Sequence, residues 1–162
     1  MDLDEHIQTH LLSVWREEKK FLRRGAEGML FLTEKHLMFV TKTQAKYKWW
    51  DPATLRQIRT LHKSKDTMIH HDGYGDEDLR RDLENKKNME VSYDQILKAD
   101  FEEKPWGSAL KLEINFGGKT KKYQFSIVEG WVKYPLKDPL KFMRVDWARV
   151  VDYIKSKQKI TE

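Results

Sequence analysis

The chain of 162 residues carries 31 Lys and Arg against 26 Asp and Glu, for a formal charge of +5. It contains no cysteine, which excludes disulfides and thiolate metal sites. Its length predicts one domain able to bury roughly two thirds of its unfolded surface, and a balance of 35% charged to 39% hydrophobic residues excludes a disordered chain.

The acidic start, Met1-Asp-Leu-Asp-Glu5, lacks the basic region of a signal peptide. No apolar run approaches the ~20 residues that a membrane span requires. A cytoplasmic location is expected, with the positive surplus allowing peripheral attachment to a membrane.

Asp2 and Glu5 read as a capping box, and Leu3, Ile7, Leu11, Val14, Trp15 and Leu22 recur at steps of three, four or seven. This predicts an N-terminal amphipathic helix over residues 1–24, stopped at Gly25. From Gly28 to Val40 two dense apolar runs flank a polar break at Thr33 to His36, the pattern of a hairpin of buried strands. Leu30, Leu32, Leu37 and Phe39 suit one face while Met29, Phe31, Met38 and Val40 make the other apolar, so cover on both sides is expected. A third strand is placed over Lys42 to Trp50.

Asp51-Pro52 then supplies a helix start, and Leu55, Ile58, Leu61 and Ile69 follow with helical spacing. His70 to Asp76 breaks it, and Glu77 to Lys87 forms a short charged helix. Residues 51–88 therefore read as a helical insertion between strands.

From Met89 the period changes to two: Met89, Val91 and Tyr93, then Leu97, Ala99 and Phe101. Leu110, Leu112, Ile114 and Phe116 alternate with polar residues, Gly117-Gly118 makes the turn, and Tyr123, Phe125 and Ile127 return. Residues 128–138 look irregular. Asp138-Pro139 caps a C-terminal helix over 139–158 with the stripe Leu140, Met143, Trp147, Val150, Val151 and Ile154, ending in Lys155, Lys157 and Lys159.

The hairpin Gly28-x-x-x-Leu32-Thr33-x-x-x-Leu37-x-Phe39, the later strands with Ile96, Leu112-x-Ile114-x-Phe116-Gly117-Gly118 and Tyr123-x-Phe125, and the closing helix with Trp147 together resemble the GRAM and bacterial PH-like domains. The resemblance covers roughly residues 25 to 158. It implies an α+β fold: a bent antiparallel sheet or half-open barrel of about seven strands, plugged by the C-terminal helix. Pleckstrin-type lipid binders grip inositol phosphates with a long basic loop between their first two strands. Here that connection reads as the short Thr33 to His36, so that mode is not expected. The second departure is the helical insertion. The resemblance implies a non-catalytic binding module for membrane lipids or protein segments.

No nucleophile elbow, phosphate loop or dinucleotide fingerprint occurs, so neither catalysis nor a small-molecule cofactor is expected. His6 and His10 lie four apart beside Glu5, and the run from His70 and His71 to Asp78 gathers imidazoles and carboxylates. Neither has HExxH or EF-hand spacing, so no metal is assigned. Gly73 and Gly75 read as loop geometry and Asp76 as a helix cap. A metal-dependent enzyme requires His70, His71 and their acids to converge in a pocket, and ranks third.

The candidate ligand-binding residues are basic. Lys42, Lys46 and Lys48 precede Trp49 and Trp50; Lys119, Lys121 and Lys122 surround the second hairpin's turn; Arg16, Lys19, Lys20, Arg23 and Arg24 end the first element. Lysines interleaved with tryptophans suit an anionic membrane, and a protein segment at the sheet edge or the insertion is the companion expectation. Single-stranded nucleic acid is the competing partner, through phosphate contacts and base stacking. The plain reading is solvated lysines over tryptophans in the core. Trp106, Trp131 and Tyr134, expected in loops, either roof the core or form a contact patch.

Overall fold

The first long element is a strand. The computed structural model describes residues 1–19, 25–45 and 50–158. In it β1 (Thr9–Glu18) pairs antiparallel with β2 (Gly25–Leu32) on one side and β7 (Lys119–Val132) on the other. This corrects the expected N-terminal helix; the part of that helix placed on residues 20–24 lies outside the described residues. The helical spacing has a physical source in a bulge. The register jumps between Leu11 and Val14, and Ser13 sits at φ 57. An inserted residue turns an inward step of two into a step of three, so Leu11 and Val14 share one core while Leu12 enters another.

Next come β3 (His36–Val40), α1 (Trp50–Ser64), α2 (Asp76–Asp82), β4 (Met89–Ser92), a 3₁₀ turn (Tyr93–Gln95), β5 (Ile96–Lys104) and β6 (Gly107–Phe116), then β7, β8 (Asp138–Phe142) and α3 (Ala148–Lys157). The strands run β4-β3-β2-β1-β7-β6-β5, with β8 added to β7. The two outer strands of that path, β4 and β5, are consecutive in the chain. In a flat sheet they would lie about 29 Å apart, six spacings of about 4.8 Å. The three-residue turn between them spans at most about 14 Å, so the sheet must bend around its interior.

α3 fills the gap where these edges meet. Gln158 Nε2 donates to the carbonyls of Tyr93 at 3.1 Å and Ile96 at 2.6 Å, and the hydroxyls of Tyr93 and Tyr153 both donate to the Thr33 carbonyl. Trp147 is fully buried, and Val150, Val151 and Ile154 extend the interior core from the helix. The C-terminal helix is thus found, but it starts at Ala148. Residues expected to begin it form β8, where Pro139 lies opposite Trp131 and Leu140 is 70% exposed. The Asp146 carboxylate, not Asp138, accepts the Ala148 N–H at 2.9 Å.

The outer face of β1 to β3 carries a second core of Leu12, Met29, Phe31, Met38 and Val40, covered by Ala53 of α1, by Leu79 of α2 and by Tyr74 between the helices. The hairpin is covered on both sides as expected, and the insertion supplies the cover. Its two helices are found but are shorter than expected: α1 ends at Ser64, before Ile69, and α2 at Asp82, before Lys87; α1 buries Ala53, Gln57 and Leu61 and leaves Leu55 exposed. The third strand placed over Lys42 to Trp50 is not formed at Lys42 to Ala45, Trp50 opens α1, and residues 46–49 lie outside the described residues. β5 also bulges, between Ile96 and Lys98, which buries Ile96 and Ala99 and leaves Leu97 57% exposed. The 128–138 segment is strand as far as Val132.

Gln57 clasps the β1 bulge. Its Nε2 donates to the Leu12 carbonyl at 2.7 Å, and its Oε1 accepts the Leu12 N–H at 2.8 Å. From the other side Ser13 Oγ donates to the Val128 carbonyl at 3.0 Å and accepts the Trp131 indole N–H at 2.8 Å. The second hairpin closes through Gly117 (φ 61) and Gly118 (φ 95) between Phe116 and Lys119, positive angles that a two-residue turn of this hand requires.

Gln57→Ala leaves two buried backbone groups without partners and should cost about 2–4 kcal/mol, read as a lowered urea midpoint; an unchanged midpoint contradicts the clasp. At Gly28 an added Cβ would lie 2.6 Å from the Val40 carbonyl oxygen, a backbone atom that cannot swing away. Gly28→Ala should therefore lower the melting temperature more than the same change at Gly130, where an added Cβ would meet nothing nearer than 3.9 Å.

Candidate functional site

Beyond the bulge β1 is half-buried, and its side chains alternate between the interior and the uncovered outer face. Arg16 turns inward. Its guanidinium carbon lies 4.7 Å from the Phe39 ring centre and 5.3 Å from that of Tyr123, an arrangement of cation over aromatic faces. Burial lowers its pKa, partly countered by Tyr123 and Glu18. The Arg16 side chain has no hydrogen bond or ion pair with a described residue.

Arg16 stands at one end of the sheet, where β1 finishes, β2 begins, β3 finishes and the β6–β7 turn lies. Lys121 joins it there, its ammonium 5.5 Å from the Phe116 ring centre and 3.6 Å from Glu18. Lys19, Lys119, Thr120, Lys121 and Lys122 surround a depression of about 520 Å³ with Glu18. The Lys19 N–H donates to the Lys122 carbonyl at 2.8 Å, which ties the strand end to the turn. Lys119 has no ion-pair partner among the described residues, while Lys122 is held 3.2 Å from Glu113.

Of the candidate ligand residues, Lys119, Lys121 and Lys122 are brought together. Lys42 is exposed two residues beyond Val40, where β3 finishes, its backbone N–H held by the Asn88 side chain at 2.9 Å. Lys46, Lys48 and Trp49 lie outside the described residues. Trp50 is partly buried and packs against the second core. Arg16 and Lys19 join the group because β1 is a strand that ends here, a placement hidden by the apparent helical period. The same correction moves the first strand-to-strand connection from Thr33–His36 to residues 19–24, whose sequence Lys-Lys-Phe-Leu-Arg-Arg is strongly basic.

The outer face of β1, β7, β6 and β5 is not covered by the insertion. A depression of about 470 Å³ crosses it, lined by lysines and by the carboxylates of Glu17, Glu18, Asp100, Glu102 and Glu113. Lys104 and Lys111 both lie 2.9 Å from Glu102 and hold its pKa down at about 2. Such mixed charge opposes a nucleic-acid backbone, which would meet the acids as readily as the lysines.

His6, His10 and His71 have structural partners. His6 precedes β1 and lies 2.8 Å from Asp76, whose other oxygen accepts the Ile7 N–H at 2.9 Å. Asp76 therefore anchors the N-terminal segment; Gly75, not Asp76, is the cap residue of α2, and its N–H donates to the Asp78 carboxylate in the first turn at 2.8 Å. His10 is fully buried, stacked on Phe31 at 4.3 Å with Nε2 3.1 Å from Met29 Sδ. His71 Nε2 donates to Gln57 Oε1 at 2.8 Å. Among the described residues no group of three His, Asp or Glu side chains is placed to hold a metal.

Trp131 is half-buried, edge-on to Trp15 at 5.9 Å, while Trp106 is 40% exposed and packs on Phe142 at 4.8 Å. Tyr134 is 88% exposed at the tip of the β7–β8 hairpin. The three therefore divide between roofing and exposure. No family model, curated protein or solved structure matches this chain. Among the described residues no helix is long and apolar enough to cross a membrane.

Burial pushes the His10 pKa well below that of free imidazole and the His71 pKa down to about 4, with Arg56 adding to the latter. Both are neutral in the fold but take up protons near pH 6.5 when unfolded. Their contribution is complete above that pH and is lost as pH falls from about 6.5 toward 4. His6, raised by its hydrogen bond to Asp76, acts in the opposite sense, but it is exposed and weak. The urea midpoint should be lower at pH 5 than at pH 7, and His71→Gln should narrow that difference; equal midpoints contradict the buried, neutral imidazoles.

Proposed function

We propose that this protein is a non-catalytic, PH/GRAM-like binding module that docks on an anionic, phosphate-bearing membrane surface through the sheet end around Arg16. The fold half of this reading is supported by the strand path β4-β3-β2-β1-β7-β6-β5, the bend forced by the β4–β5 turn and the terminal helix filling the gap. The ligand half is carried by one observation. Arg16 is a partly buried cation resting on two aromatic rings, with no hydrogen-bond or ion-pair partner among the described residues. Removing a charge from water without a partner is costly, and a guanidinium fork matches two phosphate oxygens at once. Lys19, Lys119, Lys121 and Lys122 line a depression at the same end of the sheet and supply the longer-range attraction.

A membrane surface fits better than nucleic acid because the cations gather at one end of the sheet, whereas the long outer face carries acids along its length. The basic residues between β1 and β2 continue that end in sequence.

Flotation with phosphatidylserine–phosphatidylcholine vesicles at two ionic strengths tests the proposal. Binding is expected at low salt and should weaken as salt screens it. Each lysine near an anionic surface contributes about 1 kcal/mol, so Lys119→Glu with Lys122→Glu should weaken partitioning at least about tenfold. Arg16→Lys keeps the charge, removes the fork and should weaken it severalfold at an unchanged melting temperature. Absence of binding to acidic vesicles at low salt, or indifference to all three substitutions, would overturn the reading; log-linear salt-dependent capture of a labelled single strand without vesicle binding would replace it with nucleic acid.

A further inference from the structure

Glu17 is the outward-facing neighbour of Arg16, and it presents the converse situation. Its carboxylate is half-buried and has no ion-pair partner among the described residues; it accepts one hydrogen bond, from the Trp15 indole N–H at 3.1 Å. Around it lies a depression of about 280 Å³ lined by Trp15, Lys104, Trp106, Gln124, Ser126 and Phe142. The aromatic rings come from three separate elements: Trp15 from β1, Trp106 from the β5–β6 turn and Phe142 from β8. Trp106 and Phe142 are tilted by 52° with centres 4.8 Å apart and form one wall.

Trp15 is fixed in place on its own side. A Cβ built on Gly25 would fall 2.0 Å from its ring, so the indole lies directly over the β2 backbone, and Trp131 meets it edge-on at 5.9 Å. The Glu17 hydrogen bond holds the carboxylate beside this ring. At the other end Lys104 is 2.9 Å from Glu102, which restrains its ammonium.

We infer that this depression binds a quaternary ammonium group with an anionic arm, of the phosphocholine type. Ring faces attract an organic cation through their quadrupoles, and trimethylammonium is suited to such walls because it has no N–H groups to satisfy. Glu17 supplies the countercharge. Lys104 supplies a cation for the phosphate. The inference does not depend on the anionic-membrane reading, since neither Arg16 nor the Lys119 group lines this depression.

Tryptophan fluorescence and calorimetry with free choline, phosphocholine and the neutral analogue carrying tert-butyl in place of trimethylammonium test it. Saturable binding of choline and phosphocholine is expected, with phosphocholine the tighter and the neutral analogue weaker by about tenfold, the effect of losing a desolvated cation–π contact. Trp106→Ala, at an exposed position, should weaken phosphocholine by a similar factor, whereas Trp106→Phe should retain most of the affinity. Glu17→Gln keeps a group able to accept from Trp15 and should erase the preference for the cation over its neutral analogue. Phosphatidylcholine vesicles distinguish the source: recruitment that free phosphocholine competes away assigns a lipid headgroup, and binding of phosphocholine without recruitment assigns a soluble ligand. No saturable binding of choline or phosphocholine, or equal affinity for the neutral analogue, overturns the inference.

Discussion

The two hydrogen bonds between the Gln57 amide and the Leu12 backbone hold together the part of the molecule on which the rest is arranged. They occupy a bulge in the one strand that pairs with both halves of the sheet. Before the bulge β1 is buried on both faces, and Leu11 and Leu12 enter different cores. Beyond it one face closes the interior while the other is left uncovered. A helix from the insertion therefore does more than cover apolar side chains: it satisfies the polar groups that a break in the ladder exposes, groups that cannot be buried unpaired without penalty.

The exposed half of β1 places opposite charges on opposite faces at consecutive positions. Arg16 faces the aromatic lining of the interior and Glu17 faces the aromatic residues of the outer surface. Each is beside rings and neither is paired by the described residues. Most other charges on this sheet are matched, as with Glu102 between Lys104 and Lys111 or Glu129 between His62 and Lys141. Against that background two unmatched, partly buried charges point to ligands of opposite sign.

Much of the architecture was legible where a segment's pattern survives folding unchanged. The Gly28–Val40 runs read as strands covered twice, and they are; Gly117-Gly118 reads as a two-residue turn, and both glycines take positive φ. Val150, Val151 and Ile154 read as the buried face of a closing helix. The misreadings occur where backbone irregularity shifts the period. The β1 bulge made Leu11 and Val14 look like one helix face, and Pro139 looked like a helix start although it sits in β8 opposite Trp131. Gln57, polar and buried, carries no hydropathy signal at all. The lysines around the second turn were legible as a group, but Arg16 and Glu17 could not be separated until the strand assigned them to different faces.

Hydrogen–deuterium exchange on the protein alone and bound to phosphatidylserine-containing vesicles probes membrane docking through the Arg16 end of the sheet, because it locates the contact without altering a residue. Backbone amides of residues 14–19 and 119–123 should exchange more slowly in the bound state, while the β7–β8 hairpin tip around Tyr134 stays unchanged. Slowing confined to that tip, or to the insertion helices, would contradict docking at Arg16.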